Sequence, residues 1–248
     1  MKYKIVDVKN VAQLMSSYDN LLRTGVASKM MVVYGVAGMG KTIANTLLAN
    51  RVDAVMVRAS PTWTISTALA MIMRELGANP MRSSADNEQY IIEKLNETNR
   101  PLFIDEVDAF LDPQVRGARY MAILETVRRI HDIANVPVVL IGMKGIERQL
   151  ETRAQIVRRI TQWVEFKPSD LEDFKKIALA CCEVQVTDDL LSKAFLAAKG
   201  NIGLLVVALV QIERFGKSNR LEIVGLKEWG NRKFNLRGDC AGDSHDGN

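Results

Sequence analysis

Between residues 30 and 51 an apolar run, Met30-Met31-Val32-Val33-Tyr34, gives way to Gly35-Val36-Ala37-Gly38-Met39-Gly40-Lys41-Thr42 and then to helix formers ending at Arg51. Strand, glycine loop and helix in that order form a phosphate cradle. Glycines let the turn present consecutive backbone N–H groups with no Cβ in the way, and the helix that follows adds the positive end of its dipole. The expected cradle is Gly35, Val36, Ala37, Gly38, Met39, Gly40, Lys41, Thr42 and Ile43. Lys41 would reach the outer phosphates and the Thr42 hydroxyl would ligate magnesium, so ATP with Mg2+ is the implied ligand.

Five short apolar runs read as buried parallel strands: Met30 to Tyr34, Ala54 to Val57, Leu102 to Ile104, Val138 to Ile141 and Trp163 to Phe166. Helical patterns over Thr42 to Arg51, Thr64 to Gly77, Asp86 to Asn99 and Gly117 to Ile133 separate them, which predicts an α/β fold with a parallel sheet covered on both faces. The third run ends in two acids, Asp105 and Glu106. At the carboxyl edge of such a sheet they would sit beside the phosphate loop. Asp105 is expected to hold magnesium with Thr42, and Glu106 to orient and deprotonate the attacking water. Asp108 reads as the cap of the next turn.

After Phe166 strand signals fade, and residues 1–166 are expected to form the nucleotide-binding core, 167–232 a helical lid and 233–248 a disordered tail. Ser169 and Glu172 have the spacing of a capping box, Thr187 of an N-cap and Gly200 of a helix stop. Helices are predicted over Leu171 to Cys182, Asp188 to Lys199 and Ile202 to Phe215, with a short strand and helix in Arg220 to Trp229.

Hydrophobic residues at 48% and charged residues at 25% of 248 suit one sizeable core plus a small accessory domain. The three cysteines, Cys181, Cys182 and Cys240, form neither a disulfide framework nor a metal-ligand spacing, and a reducing cytoplasm fits them. Met1 to Asn10 alternates charged and apolar residues, unlike a signal peptide. No apolar stretch approaches the ~20 residues of a membrane span, so no membrane partner is expected. A formal net charge of +4 permits nucleic-acid binding without demanding it.

With loop, acidic pair and helical lid together, the chain resembles the AAA+ P-loop NTPases of the additional-strand, catalytic-Glu class. Within them it is similar to the transposition target-selection ATPases of phage Mu B type and their TnsC and TniB relatives, over roughly Val6 to Trp229. The narrower likeness rests on strand spacing, the short lid and Val139-Leu140-Ile141-Gly142. ExeA-type secretion ATPases and origin-recognition ATPases share most of these features, so a switch acting without DNA and a helicase loader are the alternatives. The resemblance implies an ATPase that assembles head to tail, as a filament or ring, on double-stranded DNA and delivers target DNA to a transposase in a bacterial or phage-infected cell. It also implies a trans-acting arginine just before the last core strand, for which Arg158 and Arg159 are the candidates, with Arg153 next.

Three departures accompany the likeness. Met143 and Lys144 stand where the family has a polar sensor, so either Lys144 takes that role or sensing is weak. Gly200-Asn201-Ile202-Gly203-Leu204 lacks the lid's sensor arginine. About 34 residues precede the phosphate loop, too few for the N-terminal helix-turn-helix domain of the phage Mu B protein, so DNA contacts are expected from the core. Arg58, Arg116, Arg119 and Lys144 are the candidates, while Arg128 and Arg129 read as the exposed side of an apolar helix and Trp63 as core packing.

Overall fold

In the computed structural model, which describes residues 1–2, 4–23, 28–111 and 119–236, the chain divides into two compact units. The first comprises Gln13–Ala37 and Lys41–Phe166. The second comprises Met1–Ala12, Gly38–Gly40 and the residues from Lys167 onward. Helix α1 (Lys9–Arg23) therefore begins in one unit and ends in the other.

The first unit is built on five parallel strands, β1 (Met30–Gly35), β2 (Val55–Arg58), β3 (Leu102–Asp105), β4 (Val138–Met143) and β5 (Ile160–Phe166), in the order β2-β3-β4-β1-β5. Met30, Met31, Val32 and Val33 are fully buried, as are Leu102 to Ile104 and Val138 to Ile141. Such continuous apolar runs are what a sheet covered on both faces requires. Helices α2 (Lys41–Arg51), α3 (Ile65–Glu75), α4 (Ser84–Thr98) and α6 (Arg119–Ala134) alternate with the strands, and α5 (Asp108–Leu111), α7 (Ile146–Glu151) and α8 (Ala154–Val157) are short turns between them. Trp63 is core packing, stacked on Phe110 with ring centroids 5.8 Å apart. Helix α1 has no counterpart among the elements expected from sequence. Its Leu14, Tyr18 and Leu21, at four- and three-residue spacing, bury one face completely.

The second unit holds α9 (Leu171–Cys181), α10 (Asp188–Ala198), α11 (Ile202–Ser218) and α12 (Leu226–Trp229), with a parallel pair β6 (Gln185–Val186) and β7 (Ile223–Val224). Met1–Ala12 falls in this unit and not with the sheet because Lys2 N–H donates to the Cys181 carbonyl at 2.7 Å and the Asn10 amide to the Lys167 carbonyl at 2.8 Å. The N-cap of α9 is Asp170, which accepts from Asp173 N–H at 3.0 Å, one residue later than the Ser169 box expected. Ser169 instead donates its amide to the Gly200 carbonyl, and a carboxylate is the better acceptor at a positive helix end. Thr187 occupies the cap of α10 without a side-chain cap bond. Phe234 and Leu236 are buried, Phe234 stacking on Trp229 at 5.1 Å, so the packed chain continues past residue 232. Cys240 and the remainder of the expected tail lie outside the described residues.

Candidate active site

Parallel pairing brings the carboxyl ends of β1, β2, β3 and β4 to one edge of the sheet, and β4 stands between the two strands that carry the phosphate loop and the acidic pair. This is the edge where open α/β sheets bind ligands. Hydrogen bonds tie the ends together: Lys144 N–H to Gly35 O at 3.0 Å, Val107 N–H to Ile141 O at 3.0 Å and Ala59 N–H to Asp105 O at 2.8 Å.

Gly35 ends β1, Val36 to Gly38 are exposed, Met39 is buried, and Lys41 opens α2. Gly38 and Gly40 adopt φ of 80° and 85°, conformations that a Cβ would strain. Thr42 and Ile43 lie exposed on the first turn of α2. The Lys41 ammonium is buried and donates to the carbonyls of Gly35 at 2.7 Å and Val36 at 2.9 Å. Burial lowers its pKa, while Asp108 and Asp105 oppose that shift and favour the charged form. The Met143 sulfur is 3.9 Å away, so a thioether fills the place where the resemblance implies a polar sensor.

Asp105 is buried, and burial raises its pKa against the opposing hydrogen bonds of the Glu106 amide, at 2.9 Å, and the Thr42 hydroxyl. Thr42 and Asp105 thus meet, as a shared magnesium would require. Octahedral magnesium takes one or two protein oxygens beside phosphates and water, and this donor pair fits it.

Glu106 is a non-glycine residue at φ 56°, a conformation that strained functional positions often hold. Its carboxylate forms an ion pair with Arg58, and that hydrogen bond lowers its pKa. The β2–β3 register sets Arg58 opposite Asp105, which explains the contact. Asp108 opens α5, and its Oδ1 accepts the Met143 amide at 2.8 Å and pins the end of β4.

The two arginines before β5 differ. Arg159 donates twice to Asp132, at 2.6 and 2.7 Å, and to the Gln155 carbonyl. Arg158 is exposed and Arg153 is half-buried. Among the other basic candidates, Lys144 pairs with Glu165 at 3.1 Å, and Arg58 lies two strands away at the same sheet edge. Arg128 pairs with Glu125 and Asp132, and Arg129 with Glu88. Arg116 and the Arg119 side chain lie outside the described residues. Sequence reasoning named Arg58 and Asp108 but missed both contacts, because each depends on strand register.

No curated protein matches the chain in sequence. Its fold is similar to that of the ORC1 protein of Aeropyrum pernix, solved in complex with DNA (18% identity, TM-score 0.61, 88% of this chain and 62% of that one). It is also similar to the RuvB Holliday junction branch migration motor of Thermotoga maritima (15%, 0.60, 90% and 67%). A Walker-type ATPase of Pyrococcus abyssi is a third likeness (16%, 0.67, 87% and 70%). At these identities the likeness is one of fold, and the chain spans less than two thirds of the Aeropyrum ORC1 and Pyrobaculum aerophilum Cdc6p chains, 62% and 64%. Residues 26–150, about half of the sequence, match the AAA domain family model. Phosphate loop, buried lysine, Thr42–Asp105 pair and parallel sheet agree with that match, and the chain belongs to the AAA-domain family of ATPases, which act on ATP with magnesium.

Proposed function

We propose that this chain couples ATP hydrolysis to head-to-tail assembly on duplex DNA, in the manner of the phage Mu B, TnsC and TniB ATPases, and delivers that DNA to a transposase in the cytoplasm. The ion pair between Arg58 and Glu106 carries the reading. Arg58 is 68% exposed and Glu106 42% exposed, so one basic group faces both solvent and the residue assigned as general base.

Lys41 and the loop amides hold the phosphates, and Thr42 and Asp105 would hold magnesium, which supplies charge neutralisation on the outer phosphates. The Arg58 hydrogen bond lowers the Glu106 pKa and favours its charged form, yet the same contact occupies the oxygen that must accept a proton from water. A DNA phosphate that engages Arg58 competes for the guanidinium and frees Glu106. Arg158, exposed and just before β5, acts on a neighbour's nucleotide, and Arg159 serves its own subunit through Asp132.

The test is ATP turnover with increasing duplex DNA for the native chain and Arg58→Ala. DNA should stimulate the native chain, whereas Arg58→Ala should begin faster and gain little. Native turnover indifferent to DNA, with no DNA-bound assemblies in the microscope, would contradict the reading and favour a switch that acts without DNA.

A further inference from the structure

The tip of the phosphate loop, Gly38–Gly40, belongs to the same compact unit as the helices from Lys167 onward. The link is specific: the Gly203 amide donates to the Gly38 carbonyl at 2.9 Å. Gly203 is the second residue of α11, where a backbone N–H has no partner within its own helix. Asn201, the N-cap, takes the next such amide, Leu204, on its side-chain oxygen at 3.1 Å. One exposed donor of the helix is thus met by its cap and another by the phosphate loop.

Steric fit is equally close. A Cβ on Gly38 would lie 2.3 Å from Asn201 Oδ1, and one on Gly203 would lie 3.2 Å from the same oxygen and 3.4 Å from Gly38 Cα. Gly38 is therefore required by α11 as well as by its own φ of 80°. A peptide unit is planar and trans, so its C=O and N–H point in opposite directions. Anchoring the Gly38 carbonyl on α11 turns the Met39 N–H to the other side of the loop, away from α11, the orientation a phosphate acceptor needs from that amide.

From this geometry we infer that Gly203 and Asn201 are positioning residues for ATP: they hold the loop tip with its Met39 amide presented, and α11 registers loop occupancy through a backbone hydrogen bond. No charged residue is needed for this, which fits a stretch from Gly200 to Leu204 without arginine. The inference rests on ATP binding at the phosphate loop and is independent of the DNA reading.

Gly203→Ala and Gly203→Val separate this role from a purely structural one. Alanine is the better helix former, so loss of glycine at a merely structural site would leave ATP affinity alone and raise or preserve thermal stability. If the loop is positioned by α11, affinity for a fluorescent ATP analogue falls, by about tenfold for Ala and further for Val, while the unfolding temperature without nucleotide is held. Gly203 amide hydrogen exchange in the native chain should also slow on adding ATP. Affinity within twofold of native in both variants, or Gly203 exchange indifferent to ATP, overturns the inference while leaving ATP binding intact. If the native chain binds the analogue no better than Lys41→Ala, the ATP reading fails and takes this inference with it.

Discussion

The two arginines before β5 have opposite surroundings, and their replacement should separate accordingly. Arg159 holds Asp132 with two hydrogen bonds and sits partly buried, so Arg159→Ala should lower stability by roughly 1 kcal/mol, the scale of a good partly exposed pair, in a thermal melt of the monomer. Arg158 is exposed, and Arg158→Ala should leave the melt unchanged while reducing turnover under assembling conditions. Equal turnover for Arg158→Ala and the native chain would move the trans-acting group to Arg153 or elsewhere. Gly38 is a second residue with a sharp expectation. At φ 80° and against Asn201, Gly38→Ala has both backbone strain and a clash, so nucleotide affinity should fall even where the fold survives, as an equilibrium binding assay would show.

At the scale of elements, α6 carries a buried titratable group. His131 Nδ1 faces the Val136 carbonyl at 2.8 Å and Nε2 faces the Lys29 amide at 3.4 Å, the arrangement of a neutral ring. Burial lowers its pKa, and the Val136 hydrogen bond and nearby Asp132 only partly offset this. The folded state thus binds a proton less readily than the unfolded chain, and stability present above about pH 6.5, the ordinary histidine value, is lost as pH falls below it. The unfolding temperature should therefore drop between pH 7 and pH 5, and His131→Asn should flatten that drop. A native profile that rises on acidification would contradict the neutral ring. The five strands of the large sheet, α2 to α4, α6 and the helices after residue 170 were legible from sequence, because apolar runs and three- and four-residue spacings report burial directly. Helix α1 was not read, although Val11, Leu14, Tyr18 and Leu21 recur at three- and four-residue spacing and report its buried face, and neither were α7, α8 and β6, which are too short to establish a period. At the site, Lys41, Thr42, Asp105 and Glu106 were legible as motifs. The partners of Glu106, Asp108 and Arg159 were not, because strand register and helix packing create them.

For the whole molecule, no helix among the described residues is long and apolar enough to cross a membrane. The proposed partner is duplex DNA held through phosphates by side chains such as Arg58 and Lys144, so binding should require ATP, depend little on sequence and weaken as salt rises. Fluorescence anisotropy over a salt series checks this, and binding equally tight without nucleotide would count against it. The central claim, that one sheet edge binds ATP through Lys41 and hydrolyses it through Glu106 to time an assembly, is tested by comparing two variants. Lys41→Ala removes charge from the bound phosphates and should abolish ATP binding, turnover and assembly together. Glu106→Gln keeps shape and ATP binding but cannot accept a proton, so turnover should fall by ~100-fold or more while DNA complexes outlive those of the native chain. The direct measurement is ATP turnover and DNA-complex lifetime for both variants side by side. Slow turnover with prolonged complexes in Glu106→Gln alone is the predicted result, and near-native turnover, or loss of ATP binding as in Lys41→Ala, would contradict it.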